Sequence, residues 1–123
     1  MIPFSRADRV SALIQEVLSD LLKKNIRDPR LAMATVTRVK MSRDLKLARI
    51  YFSIYGGRNK SEAAALGFES ARGFIKRSLA RRLGLRYMPD LNFFYDDSFD
   101  YSNHIEQLLK KIAADNGPDN QSD

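Results

Sequence analysis

Cysteine and tryptophan are absent from this chain, and histidine occurs once, as His104. The lack of cysteine excludes disulfides, thiolate metal sites and cysteine nucleophiles together, and suits a reducing cytoplasm. A single imidazole excludes any site built on two, including the HExxH metal motif. No apolar run approaches the ~20 residues of a membrane span. The start, Met1-Ile2-Pro3-Phe4-Ser5-Arg6, has no long apolar core of the kind a secretory signal carries. Neither G-x-x-x-x-G-K-[ST] nor G-x-G-x-x-G occurs, so neither of the common glycine-rich phosphate cradles is written in the chain. What is present is 123 residues, 44% of them apolar, enough for one core and not two. These properties predict a small, soluble, cytoplasmic single domain.

Charge is distributed unevenly. Lys and Arg number 21 against 15 Asp and Glu, a net +6. Residues 1–86 hold 19 basic and 7 acidic side chains, whereas residues 87–123 hold 2 basic and 8 acidic. A basic body with an acidic end points to a polyanionic partner, nucleic acid before anionic membrane, because like charges this dense repel until neutralised. A solvated, charge-solubilised surface is the plainer alternative.

Ser5 with Asp8 forms a capping box, in which a hydroxyl and a carboxylate serve the free amides of a helix start. Val10, Leu13, Ile14, Val17, Leu18, Leu21 and Leu22 then recur at spacings of three and four, predicting an amphipathic helix that ends near Asn25, before Asp28-Pro29. Thr35–Ser42 and Leu47–Tyr55 read as two strands of an antiparallel hairpin. Strict alternation places Ala48, Ile50, Phe52 and Ile54 inside with Thr35, Thr37, Val39 and Met41, leaving Val36, Arg38, Lys40, Arg49 and Tyr51 outside. Basic side chains interleaved with an aromatic suit phosphates and stacked bases, and equally suit the wet face of a half-buried sheet. From Ser61 to Leu83 the chain reads as helical, and Gly73 suggests two helices meeting at a bend in a backbone conformation costly for other residues. Leu91–Asp96 is a third strand, with Leu91, Phe93 and Tyr95 on one face. A last helix, capped by Ser98 or Asp100, carries Ile105, Leu108, Leu109 and Ile112. Residues 1–114 form the domain, and the polar, acidic segment 115–123 reads as a disordered tail. The order is that of an α+β domain with its helices on one face of a small sheet.

Catalytic signals are weak. Asp96, Asp97 and Asp100 could bind Mg²⁺ or share acid–base work, but carboxylates so placed usually cap a following helix. Without a metal or nucleotide motif, no cofactor is expected. The cations say more. Residues 58–86 carry six arginines and two lysines against Glu62 and Glu69. Ile75, Leu79 and Leu83 define a buried stripe there, with Arg77 and Arg81 opposite it and Lys76 and Arg82 at its flanks. A bend at Gly73 would also expose helix N-terminal amides, favouring a phosphate. The candidate nucleic-acid contacts are therefore Arg72, Gly73, Lys76, Arg77, Arg81, Arg82 and Arg86, with Arg38, Lys40 and Arg49 on the hairpin.

An ordered set of short motifs adds an independent signal. Arg6-x-x-Arg9-Val10 is followed by Ile26-Arg27-Asp28-Pro29-Arg30-Leu31, Thr35-Val36-Thr37 and Ser42-Arg43-Asp44-Leu45. Ala71-Arg72-Gly73-Phe74-Ile75, Leu85-Arg86-Tyr87-Met88-Pro89-Asp90-Leu91 and Tyr95-Asp96-Asp97-Ser98 complete it. In this series the chain resembles the bacterial ribosome-binding factor A family over about residues 5–112. The resemblance implies a type II KH-like domain with an Ala-x-Gly helix kink, here Ala71 and Gly73, replacing the GXXG loop of ordinary KH domains. It also implies a non-enzymatic assembly factor that binds the immature small (30S) ribosomal subunit and its ribosomal RNA late in maturation. Ribosomal proteins and assembly GTPases would be further partners; growth in the cold, a monomeric state and no membrane association belong to the same expectation. The alternatives are a general KH-like regulator binding free RNA or DNA, and a small phosphodiesterase using the Asp96 cluster.

Overall fold

A computed structural model describes residues 5–98 and 108–113 of the chain. Helix α1 spans Arg6–Lys24, and its first turn carries both halves of the expected capping box: the Asp8 amide donates to the Ser5 hydroxyl, and the Ser5 amide donates to the Asp8 carboxylate, each at 3.1 Å. Asn25 ends the helix. Val10, Ile14, Val17, Leu18 and Leu21 are buried, but Leu13 lies at the edge of the stripe and is 47% exposed. Asp28 then caps a single 3₁₀ turn, Pro29–Leu31, by accepting from the Arg30 amide at 2.9 Å.

Strands β1 (Ala34–Met41) and β2 (Leu47–Ile54) pair antiparallel, and β3 (Asp90–Tyr95) joins β2 in parallel, giving the order β1-β2-β3. The hairpin turn rests on Ser42 and Asp44. Ser42 Oγ donates to Asp44 at 2.7 Å and accepts from the Leu47 amide at 3.0 Å, while Leu45 takes a left-handed φ of 62°. A parallel neighbour needs a crossover connection, and helix α2 (Arg58–Leu83) provides it. It starts after Gly56 and Gly57, both at positive φ, and ends at Gly84, whose left-handed backbone is a common helix stop.

Two expectations are corrected here. Strict alternation on β1 fails at Thr37, where the register slips between Val36 and Arg38, so that Val36 turns inward beside Val39 and Met41. A bulge sets two residues against one, which inverts the alternation on one side of it. Its extra residue is fastened: the Thr37 hydroxyl bonds Asp96 at 2.7 Å, and Gln15 of α1 donates to the Thr37 carbonyl at 3.4 Å. The second correction concerns the two helices expected to meet at Gly73. One helix of 26 residues runs through Ala71, Arg72 and Gly73, and Gly73 is not among the glycines at positive φ. Glycine is a cost of roughly 1 kcal/mol to a helix, not a break, and the buried side chains on both sides of it, Phe68 before and Ile75 and Leu79 after, hold the helix on the sheet. With no second helix start, the expected free amides at that point are absent as well.

The core lies between one face of the sheet and the two helices: Ile14, Leu18, Ile50, Phe52, Phe68, Ile75, Leu79 and Leu91 are fully buried there. Phe68 stacks on Phe93 at 4.9 Å and contacts Phe52 at 4.8 Å between ring centres, joining α2 to β2 and β3. The 3₁₀ turn reaches α2 at Gly67. A Cβ there would stand 3.0 Å from Leu31 Cγ and 3.3 Å from Arg30 Cβ, so this glycine marks a close approach. Residues 108–113 are helical, with Leu108, Leu109 and Ile112 exposed. Asp100, Ile105, His104 and the acidic tail from Asp115 lie outside the described residues.

Candidate nucleic-acid interface

Apart from Gly73, the ten candidate residues are cations and fall into three groups by what their side chains already hold. The first group is committed to the fold. Arg72 lies on α2 facing β3, an edge strand; its guanidinium donates to Glu69 at 2.7 and 3.0 Å, to Asp90 at 3.3 Å and to the Leu91 carbonyl, and it lies 5.5 Å from the centre of the Phe93 ring. Lys76, one turn on, approaches the same Asp90 carboxylate at 3.6 Å. Arg82 pairs with Asp20 of α1 at 2.9 Å, and Lys24 joins that carboxylate at 3.1 Å. Arg82 first, then Lys24, draws the Asp20 carboxyl below its usual range. The sequence places Arg72 among the candidate nucleic-acid contacts. Its three partners on α2 and β3 give it a structural task as well.

The second group projects from the outer side of α2. Arg77 and Arg81 are exposed, one turn apart, and neither has an ion pair among the described residues. The position opposite the Ile75–Leu79 stripe, expected from the spacing, is where they stand. A Cβ at Gly73 would meet only Arg77 Nη1, at 3.2 Å, so the Arg77 fork lies back over the glycine, as helical side chains lean toward the N-terminus. Arg86, past the end of α2, is exposed with its guanidinium 5.5 Å from the centre of the Tyr87 ring.

The third group stands on the sheet face away from the core. In register, Arg38, Tyr51 and Phe94 form one row across the three strands, and Lys40, Arg49 and Asn92 form the next. The Arg38 guanidinium lies 4.2 Å from the centre of the Tyr51 ring, and Tyr51 and Phe94 are 5.5 Å apart at 31°. Arg38, Lys40 and Arg49 are exposed and make no ion pair among the described residues. Phe94, 41% exposed, is the member missing from the sequence reading. Its signal was available: placing Leu91, Phe93 and Tyr95 inward leaves Phe94 outward.

The acidic cluster is occupied differently. Asp96 accepts from Ser98 Oγ at 2.6 Å and from Thr37, and these bonds, Ser98 first, hold its carboxyl below the ordinary range. Asp97 lies 3.7 Å from Arg58. Among the described residues no three His, Asp or Glu side chains converge as metal ligands. Nor is any described helix long and apolar enough to cross a membrane.

A mixed three-stranded sheet backed on one face by helices, with the unpaired cations on the remaining surfaces, defines a small basic KH-like α+β domain. The chain belongs to the ribosome-binding factor A family, whose family model matches residues 6–109. Ribosome-binding factor A of Desulfatibacillum aliphaticivorans is 51% identical over 114 residues, 93% of each chain, and that of Desulfosudis oleivorans is 50% identical over 91% of this chain and 87% of its own. The crystal structure of the Thermus thermophilus ribosome-binding factor A is similar with a TM-score of 0.65 at 26% identity, covering 72% of this chain and 93% of that one. A homology model of the Thermus protein fitted into the cryo-EM map of a 30S–RbfA complex gives a TM-score of 0.63 at 26% identity, over 76% and 97% of the two chains.

Proposed function

We propose that this chain binds the immature small ribosomal subunit through its ribosomal RNA in the cytoplasm and promotes late maturation and rRNA processing without catalysing a reaction. The observation that carries the partner is membership of a family with a Thermus relative fitted into a 30S complex. The contact chemistry follows from which cations are free. Arg77, Arg81, Arg38, Lys40 and Arg49 make no ion pair among the described residues, with Asp96 and Asp8 close enough to feel the charges of Arg38 and Lys40, whereas Arg72, Lys76 and Arg82 each meet a carboxylate directly. Planar guanidinium groups suit bidentate phosphate contact. Rigid helix and sheet elements present these groups in fixed positions, so binding favours RNA conformations whose phosphates match them and holds those conformations until assembly is complete. Ribosomal proteins and assembly GTPases are the further partners of this scheme, and slow RNA rearrangement at low temperature is where such a factor matters most for growth.

Co-sedimentation of the purified chain with small-subunit precursors and with mature subunits tests the proposal. Preferential binding to precursors over naked RNA of the same sequence is the expected result; equal binding to naked RNA or DNA would favour a general nucleic-acid regulator. Five phosphate contacts give a log–log salt slope of about −3.5 to −4.5. Changing Arg77 and Arg81 together to Glu should flatten that slope by about 1.4–1.8 while leaving the thermal midpoint within about a degree, since neither side chain holds the core.

A further inference from the structure

Most of the domain's surface cations can bind any polyanion, but one surface carries more than charge. On the sheet face away from the core, the two rings of Tyr51 and Phe94 sit on neighbouring strands with their centres 5.5 Å apart. Arg38 covers one side of Tyr51, and Lys40 and Arg49 occupy the next outward-facing row, two residues along the strands. Helices α1 and α2 pack on the opposite face, so aromatic surface is left outward on a sheet whose apolar side chains mostly turn to the core. A folded domain gains nothing by exposing Phe94, and the face it shares with Tyr51 carries Arg38, Lys40 and Arg49, which do not suit an apolar protein partner.

We propose that this face is a stacking platform for an unpaired RNA segment, with one base on Tyr51, the next on Phe94 and the intervening and flanking phosphates on Arg38, Lys40 and Arg49. Open sheets accept single strands in this way because extruded bases lie flat on aromatic side chains while the sugar–phosphate chain crosses the strands. Duplex RNA cannot use the rings, since its bases are already stacked and its grooves hide their faces. The bulge at Thr37 contributes to the geometry. It returns Arg38 to the outer face two residues after Val36 has turned inward, where regular alternation would turn it to the core, and the Thr37–Asp96 bond ties the bulge to the end of β3, two residues beyond Phe94. The platform rests on the ribosomal-RNA reading above and adds to it a ligand class, the single strand.

Binding of the full chain to an oligoadenylate of about ten nucleotides and to a duplex of the same length, followed by fluorescence anisotropy, decides the matter. Phe94→Leu and Tyr51→Leu should each weaken single-strand binding about tenfold, the usual worth of one base–aromatic stack, with duplex binding within about twofold of the parent. Tyr51→Phe keeps the ring and should bind like the parent. If Tyr51→Leu lowers the thermal midpoint, the exposed Phe94→Leu decides alone. Unchanged single-strand binding, an equal loss on the duplex, or a parent chain that ignores the oligoadenylate overturns the platform. Precursor co-sedimentation keeps the two ideas apart. Ring variants that bind all RNAs normally, beside an Arg77/Arg81 double variant that loses precursors, defeat the platform and spare the ribosomal function. A parent that binds the single strand through its rings yet ignores precursors defeats only the latter.

Discussion

Gly73→Ala is the most informative single substitution in this chain. Gly73 lies inside α2, four residues before Arg77, with no positive φ and with its Cα facing solvent. The only atom an added Cβ would meet is Arg77 Nη1 at 3.2 Å, the end of a flexible side chain that can swing aside. Nothing in the backbone or the packing therefore resists the methyl group. Alanine is favoured over glycine by about 0.8–1.0 kcal/mol in a helix interior, because it lowers the entropy lost on folding. For a chain of this size that stability gain corresponds to a rise of about 4 °C in the thermal midpoint. Differential scanning calorimetry with circular dichroism on parent and variant measures it. A midpoint lowered by more than about 2 °C would falsify the continuous-helix geometry and restore a glycine-requiring bend at this position. Precursor binding supplies a second readout. If the glycine is retained so that an RNA backbone can pass close to α2, the variant will be more stable and bind more weakly, which separates a functional from a structural reason for the residue.

Three further substitutions and conditions follow from the same geometry. Gly67→Val, unlike Gly73→Ala, forces three carbons into the buried contact with Leu31 and Arg30 and should destabilise by about 1–3 kcal/mol, read from a urea midpoint with unchanged slope; parent-like stability would show that the 3₁₀ turn is free to move away. Arg72→Ala removes the donor to the Leu91 carbonyl and the link to Glu69 and Asp90, and should cost about 1–2 kcal/mol, with faster amide exchange along β3; an unaltered midpoint would return Arg72 to the binding surface. Asp8, Asp20, Asp28, Asp44 and Asp96 are all held below the ordinary carboxylate range by hydrogen bonds or cations. Depressed folded-state values mean stability that is complete above the unfolded value near pH 4 and lost as pH falls through the folded ones, so the midpoint should be level from about pH 5 to 7 and decline below about pH 4. A midpoint that holds steady to pH 2 would show that these bonds contribute nothing.

Features whose cause lies within a few residues were legible in the chain alone. Ser5 and Asp8 meet across one turn, Asp28 caps the turn that Pro29 begins, and Ser42 and Asp44 build the hairpin from its own backbone, so each is written in adjacent letters. The inward faces of β2 and β3 were readable by period, as was the place of Arg77 and Arg81 opposite Ile75 and Leu79. The rest depended on how distant segments meet. Val36 turns inward because the register of β1 against β2 slips at Thr37, and nothing within β1 records where its partner will slip. The reason for Gly67 within α2 lies in Leu31, from a separate turn, which fills the space a side chain there would need. Above all, the basic composition could not say which arginines are free. Arg82 is paired with Asp20 from sixty-two residues away and Arg72 adds Asp90, from eighteen, to its near neighbour Glu69, whereas Arg38 meets the Tyr51 ring across the hairpin. A charge is available to a ligand only when folding brings no counter-ion to it. That depends on pairwise distances between residues remote in sequence, which local hydrogen bonding and periodicity do not encode.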